Sequence, residues 1–427
     1  MTLFGLREAG TTVRTEVLAG LTTWLAMVYI VAVNPSILAS TGMDQGALFV
    51  ATCLGAGLAS IAMGLYANLP LALAPGMGLN AYFAFVVVGG LHIPWQVALG
   101  AVFLSGVLFL IVSLLRLREW LINSIPLSLK LGIGAGIGFF LALIGLEHMG
   151  VVAANPATYV TLGDLGNPAT LLACVGFVAM AALAARGIAA AVLIGILATA
   201  AAGIPLGMTT FHGVIAPPPS LMPTLFQMDI PGALNLGLIS IVLTFFLIDV
   251  LDNAGTLIAV THRAGLMRPD GTVPRLRQAL TADSGGAMLG AALGTSTVCG
   301  YIESAAGIQA GGRTGLTAVV TGVLFLATLF FAPLALSLPE FATAPALVFV
   351  ACLMAGALRG LNWDELTDYL PAVVTALAVP FTFSIAAGIG IGFIVHALVK
   401  TLAGRPREVG GAVWLIAAAS AVKFAIQ

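Results

Sequence analysis

Residues 68–85 read NLPLALAPGMGLNAYFAF, and residues 294–312 read GTSTVCGYIESAAGIQAGG. Each lies in a stretch of chain apolar enough to enter a bilayer, yet neither suits an uninterrupted helix. The first carries Pro70, Pro75, Gly76 and Gly78 within one span; the second is rich in Gly, Ser and Thr and poor in large aliphatic side chains. Proline removes a backbone donor and glycine raises the entropic cost of helix, so both stretches are expected to be part extended and part helical. Irregular backbone survives at membrane depth only where protein or a water-filled cavity satisfies its N–H and C=O groups. Two such interruptions point to an interior binding site. The alternative is a pair of ordinary kinked helices with glycine packing seams.

The remaining chain reads as a membrane protein. Of its 427 residues, 60% are hydrophobic and 8% charged, where a soluble domain carries about 25% charged residues. From Val17 through Leu115 the single formal charge is Asp44. With spans of about 20 residues, polar, Pro and Gly clusters divide the first half at 16–34, 46–66, 68–90, 94–115, 120–146, 168–185 and 187–205. The second half divides at 234–260, 277–294, 296–312, 315–336, 341–358, 365–381 and 383–399; residues 410–426 are apolar but contain Lys423 and are left unassigned. The two halves, 1–206 and 233–427, flank a Pro-rich extracytoplasmic connection at 207–232. With the N-terminus in the cytoplasm, Arg7, Arg14, Arg116, Arg118, Arg186, Arg263, Arg268, Arg313, Arg359 and Lys400 all fall on the cytoplasmic side, and the loops 147–167, 205–232 and 337–340 hold no Lys or Arg. That is the positive-inside pattern, with Lys130 as the exception. Seven is odd, so two seven-segment halves have opposite orientation: an all-α polytopic fold of about fourteen segments in two inverted repeats, broken in the third and tenth. Such folds place their site where the repeats meet, near the midplane.

Other classes find little support. A net charge of −1 offers no basic face for nucleic acid. Cys53, Cys174, Cys299 and Cys352 stand singly, with no disulfide or CxxC pattern, and the five histidines never take HxxxH or HExxH spacing, so no metal or other cofactor is signalled. Neither a P-loop nor GxSxG is present, which argues against ATP-driven pumping and ester hydrolysis. The N-terminus has no cleavable signal layout, and its first apolar run is expected to remain as a helix.

The intramembrane acids carry the chemistry. Residues 235–260, NLGLISIVLTFFLIDVLDNAGTLIAV, hold Asp249 and Asp252 three apart on one helical face, and Glu303 follows the Gly300-Tyr301 break. A carboxylate at membrane depth costs about 2.5–3.5 kcal/mol on insertion scales, so it normally faces a polar interior and a partner. With no Lys or Arg expected at that depth in either of these two segments, the partners are a proton, a ligand, backbone N–H groups or one another. That setting suits proton exchange; the structural alternative is an Asp bonded to a neighbouring helix terminus. Asp283, in TADSGG, is expected to cap a turn or helix start.

The stretches LAPGMGLNAYFAF, FFLIDVLDNAGTLIAV, ADSGGAMLGAALGTSTV and YIESAAGIQAGGRTGLTAVVTG resemble the AzgA-like purine permeases, the hypoxanthine/guanine/adenine branch of the nucleobase–cation symporters related to the nucleobase–ascorbate transporters. The resemblance covers nearly the whole chain. It implies fourteen segments in two inverted repeats, a core domain (about 14–115 plus 233–336) moving against a gate domain (about 119–205 plus 341–427), proton-coupled purine import across the cytoplasmic membrane, and a homodimer packed through gate domains. It also implies that Asp252 and Glu303 bind the purine, that Asp249 is a second acid of the eighth segment, and that Asn80 is a required Asn of the third. Asp368, in WDELTDYLP, is matched to a gate-domain acid, with Glu365 a competitor.

Purines fit the residues. They are flat, largely neutral and rich in N–H donors, and charge-assisted bonds to carboxylates are roughly twice as strong as neutral ones. Glu303 and Asp252 are expected to take the purine edge, with Asp249 or Asp252 exchanging the proton. Phe83, Tyr82 or Phe245 supplies a stacking face or belongs to the core; both readings stand. Two other classes remain: an anion carrier or channel on the same architecture, and a membrane-embedded hydrolase using two carboxylates. The acids at 249, 252 and 303 argue against the anion, and a hydrolase gives no reason for two matched breaks.

Overall fold

Asp44, the lone formal charge from Val17 through Leu115, is a helix cap. In the computed structural model its carboxylate accepts the Ala47 N–H at 2.7 Å and opens a helix over Gln45–Ala62. The structure describes residues 4–114, 125–235, 238–263, 266 and 275–426; the side chains at 251, 252, 254, 255, 258–260, 262, 263, 423 and 426 lie outside that description. Among the described residues, eight helices are long and apolar enough to cross a membrane, the first running Val13–Ala39, and shorter apolar helices include Met77–Gly90, Ala191–Gly203 and Leu366–Phe381. Every expected segment contains a helical element.

By contacts the chain forms two compact units, Met1–Leu114 with Leu165–Ala346, and Leu115–Asp164 with Leu347–Gln427. In the first unit, α1 (Val13–Met27) and α2 (Ile30–Ala39) make one span interrupted at Val28 and Tyr29. Helix α3 (Gln45–Ala62) continues as π-helix to Ala67, then come β1 (Leu73–Pro75), the five-residue α4 (Met77–Ala81), a π-helical stretch over Tyr82–Gly90, and α5 (Trp95–Leu114). In the second unit α6 (Leu127–His148) is followed by a hairpin of β2 (Val152–Asn155) and β3 (Tyr159–Leu162). Nothing in the apolar patterning announced that hairpin, because it lies in a loop and is too short to carry a period.

Helices α7 (Pro168–Ala185) and α8 (Ala191–Gly203) pack on each other, and α8 touches α1, so they group with the first unit rather than with 119–164. After the short α9 (Ile230–Ala233) come α10 (Ile239–Arg263), α11 (Leu276–Leu293), β4 (Val298–Gly300), α12 (Ser304–Gln309), α13 (Gly315–Thr328), and α14 (Ala332–Leu336). The Pro-rich connection is pinned by backbone bonds, Ala216 N–H to the Phe330 carbonyl and Phe226 N–H to the Ala292 carbonyl. In the second unit follow α15 (Glu340–Ala355), which begins in the first unit, α16 (Leu366–Phe381), α17 (Ile385–Leu402) and α18 (Gly411–Ile426). The unassigned stretch 410–426 is thus helical.

Glycine explains the tightest packing. A Cβ on Gly57 would meet the Gly322 carbonyl, and one on Gly64 the Gly315 carbonyl; the reverse substitutions meet the same partners. The two pairs are seven residues apart on antiparallel elements, so the α3 span and α13 approach backbone to backbone. In lipid, where burying apolar surface between helices yields little, such close contact is a main source of association.

Candidate substrate site

The two interrupted segments meet. Strand β1 pairs antiparallel with β4 in the register Leu73↔Gly300, Ala74↔Cys299, Pro75↔Val298. Gly76 N–H donates to the Thr297 carbonyl and Tyr301 N–H to the Ala72 carbonyl, extending the pair at both ends. Side chains meet the outward backbone groups. Ser60 Oγ accepts the Leu73 N–H at 2.8 Å and donates to its carbonyl at 3.0 Å. Ser304 Oγ accepts the Ala72 N–H at 3.0 Å, and the Gly300 N–H is shared between Asn253 Oδ1 at 3.0 Å and Asp283 Oδ1 at 3.1 Å. The hydroxyl of Tyr301 donates to the Pro75 carbonyl. This is how unwound backbone is satisfied away from water. The strands end in α4 and α12, so each segment is half strand and half helix.

Asp283 corrects one expectation. It lies in the middle of α11, buried, and binds a strand amide; it caps no turn or helix start. The sequence suggested a cap because Asp beside Ser-Gly-Gly favours turns, but the long apolar helix around it prevails.

Glu303 stands at the N-terminus of α12, where Tyr29 donates its hydroxyl to Oε1 at 2.8 Å. Tyr29 sits at the interruption between α1 and α2 and is fully buried. Asp249 is also fully buried on α10, and Asn253 one turn on donates Nδ2–H to its Oδ1 at 2.8 Å. Asn253 thereby links Asp249 to the Gly300 amide. The backbone of Asp252 belongs to α10, but its side chain lies outside the described residues. A small cavity lined by Met63, Leu71, Leu257 and Leu280 carries Asn253 and Asp283 on its wall.

Asn80 is buried on α4 and donates Nδ2–H to Asn34 Oδ1. Asn34 in turn donates to Thr52 Oγ1 at 2.7 Å and Thr295 Oγ1 at 2.8 Å, all four residues being inaccessible to solvent. The three aromatic candidates lie together: Tyr82 meets Phe245 edge-on at 4.9 Å between ring centroids, and Phe83 lies 6.5 Å from the same ring. Phe83 and Phe245 are fully buried.

Asp368 belongs to the second unit. It stands in the first turn of α16 and pairs with Lys400 at 2.8 Å, and Lys400 also holds Glu408 at 2.7 Å. Its competitor Glu365 caps α16 through Thr367 and meets Arg405 at 3.0 Å. The Thr367 hydroxyl and then Arg405 hold the Glu365 carboxyl below its ordinary pKa.

The sequence reading passed over four residues. Asn34 beside Pro35 and Tyr29 in VYIVAVNP were visible as polar groups in an apolar run, and Asn253 as the neighbour of Asp252. Glu16 gave the least signal, because a charge near the end of a span looks interfacial. It is fully buried, and its carboxylate accepts Arg313 N–H at 2.9 Å, Thr314 N–H and Thr317 N–H at 3.3 Å and the Thr317 hydroxyl at 2.6 Å. It caps α13 from α1.

Two paired half-helices, with buried polar side chains at their strand ends, thus lie in a chain of helices long and apolar enough to cross a membrane, and the comparisons with known proteins identify that chain as a membrane permease. The chain belongs to the permease family (Xan_ur_permease), which matches residues 14–391. It is 49% identical to adenine permease AdeP of Escherichia coli over 97% of this chain and 93% of that protein. It is 44% identical to guanine/hypoxanthine permease PbuG of Bacillus subtilis over 96% and 95% respectively. Among solved structures, the transmembrane domain of the cyanobacterial bicarbonate transporter BicA superposes with a TM-score of 0.67 over 89% of this chain and 97% of that one. At 14% identity that likeness concerns the fold alone.

Proposed function

We propose that the protein imports purine nucleobases across the cytoplasmic membrane by proton symport, with its N-terminus in the cytoplasm. The observation that carries this reading is the Glu303 carboxylate, held by Tyr29 at the start of α12 beside the paired strands. Purine edges offer N–H donors, and a carboxylate accepts them strongly in a site shielded from water. The relatives named as adenine and guanine/hypoxanthine permeases support the substrate class. Glu303 and Asp252 bind the purine edge, Asn80 contributes from the third segment, and Asp249 or Asp252 exchanges the coupled proton. The arginine distribution supports the orientation. Movement of the core domain against the gate domain alternates access to the site.

The test is uptake of labelled hypoxanthine and adenine into proteoliposomes and cells, competed by guanine, xanthine and uracil, with and without a protonophore. Saturable, protonophore-sensitive uptake of chemically unchanged base is expected. Glu303→Gln abolishes it while membrane insertion stays normal. Undiminished uptake by that variant removes Glu303 from the site, and uptake indifferent to the protonophore removes proton coupling.

A further inference from the structure

Asn34 lies in the first segment, outside both interruptions, yet its amide touches elements of each: Asn80 on α4, and Thr295 just before β4. Hydroxyl chemistry fixes which way the amides face. The Thr52 hydroxyl lies 2.7 Å from the Leu48 carbonyl, which only accepts, so its one proton goes there. Thr52 Oγ1 is then an acceptor toward Asn34, and the Asn34 group 2.7 Å away is its NH2. The other end of Asn34 is therefore its carbonyl, and the Asn80 group facing it is NH2. What is left of Asn80 is Oδ1, a fully buried acceptor with no hydrogen-bond partner among the described residues. Reversing either amide sets two donors or two acceptors face to face, at a cost comparable to leaving a buried polar group unsatisfied. The hydroxyls of Thr23, Ser296 and Thr297 are likewise buried without a partner among the described residues, so Asn80 Oδ1 is not the single open polar atom of this unit.

We propose that the chain Leu48–Thr52–Asn34 is a polarity lock, which makes Asn80 present a carbonyl oxygen, and never its NH2, to the substrate. Asn34 and Thr52 are positioning residues: they touch no substrate and act by setting which atom of Asn80 does. The third-segment half of the site then reads a ligand N–H, as Glu303 does from the tenth segment. The site selects a base that offers N–H donors on two edges and rejects an analogue that offers a ring acceptor where Asn80 expects a donor. This inference rests on the purine reading and deepens it.

The experiment measures competition of labelled base uptake by the parent purine and by analogues each lacking one N–H. In the wild type, one analogue is expected to bind about tenfold more weakly, the effect of one buried hydrogen bond with its partner left unpaired. Thr52→Val removes one of the two hydroxyl acceptors of Asn34 and leaves Thr295, whose hydroxyl can accept from the amide NH2 or donate to its carbonyl, so both amides can turn and that ratio narrows to about twofold; Thr52→Ser, which keeps the hydroxyl, restores it. Asn34→Asp supplies a second reading that survives poor folding of the valine variant. The introduced carboxyl imitates the amide while protonated, with one O–H donor and one carbonyl acceptor, and carries acceptors alone once ionised. Its uptake should fall with rising pH several-fold more steeply than that of the wild type. Unchanged analogue ratios in Thr52→Val, or a wild-type pH profile in Asn34→Asp, overturn the lock while leaving purine transport standing. A wild-type protein that takes up no purine overturns both.

Discussion

Replacing Glu16 by Ala tests the packing of the first unit without reference to transport. The carboxylate is fully buried and accepts three backbone N–H groups and one hydroxyl at the start of α13. Thr317 N–H also reaches the Thr314 carbonyl at 3.2 Å, so the loss falls chiefly on the Arg313 and Thr314 N–H groups. Each buried donor left without a partner costs about 1–3 kcal/mol, and a negative charge at a helix N-terminus contributes about 0.3–1 kcal/mol more. Allowing for relaxation, the variant should lose ~3 kcal/mol, a fall of about 5 °C in melting temperature for a unit of this size. Glu16→Gln keeps one acceptor oxygen and should lose about half as much. The assay is thermal unfolding of the detergent-purified protein, followed by tryptophan fluorescence and by recovery of the monodisperse peak after heating. A melting temperature within one degree of wild type for the Ala variant would refute the capping argument. Equal losses for Gln and Ala would show that charge, and not the acceptor count, carries the effect.

Tyr29→Phe deletes the hydroxyl that holds Glu303 and leaves the ring's packing intact; the half-saturation concentration for purine should rise about tenfold with maximal rate and expression little changed, as read by initial uptake rates. In the second unit, Glu365 is held below its ordinary pKa by Thr367 and Arg405, so its contribution to stability is present above the ordinary Glu value of 4.5 and is lost as pH falls through the lower folded value. Glu365→Gln should flatten that acid limb of the thermal stability profile, weakly and less so at high salt because the pair is exposed; an unaltered limb at low salt counts against the pairing.

The membrane class, the spans and the two interruptions were legible because each is a local property. Transfer free energy sums along twenty residues, and proline and glycine alter the backbone where they stand. Intramembrane acids were conspicuous for the same reason, and Asp249 and Glu303 do lie in the buried interior of one unit or at its strand ends. Asp283 shows the limit of such reasoning: its neighbours favour a turn, and its place in α11 follows from packing against β4.

The partners belong to the tertiary structure. Tyr29 and Glu303 are 274 residues apart, and Asn34 and Thr295 are 261 apart. No periodicity links them. By itself the sequence determined that the chain dissolves in lipid, where it breaks, and which acids stand inside its long apolar runs, since solvation and backbone strain act residue by residue. Only the folded chain decided that the two breaks pair as strands, that Asn34 sets the facing of Asn80, and that Glu16 caps a helix three hundred residues away. Hydrogen bonds are short and directional, and their partners exist only once distant segments have been brought within about 3 Å.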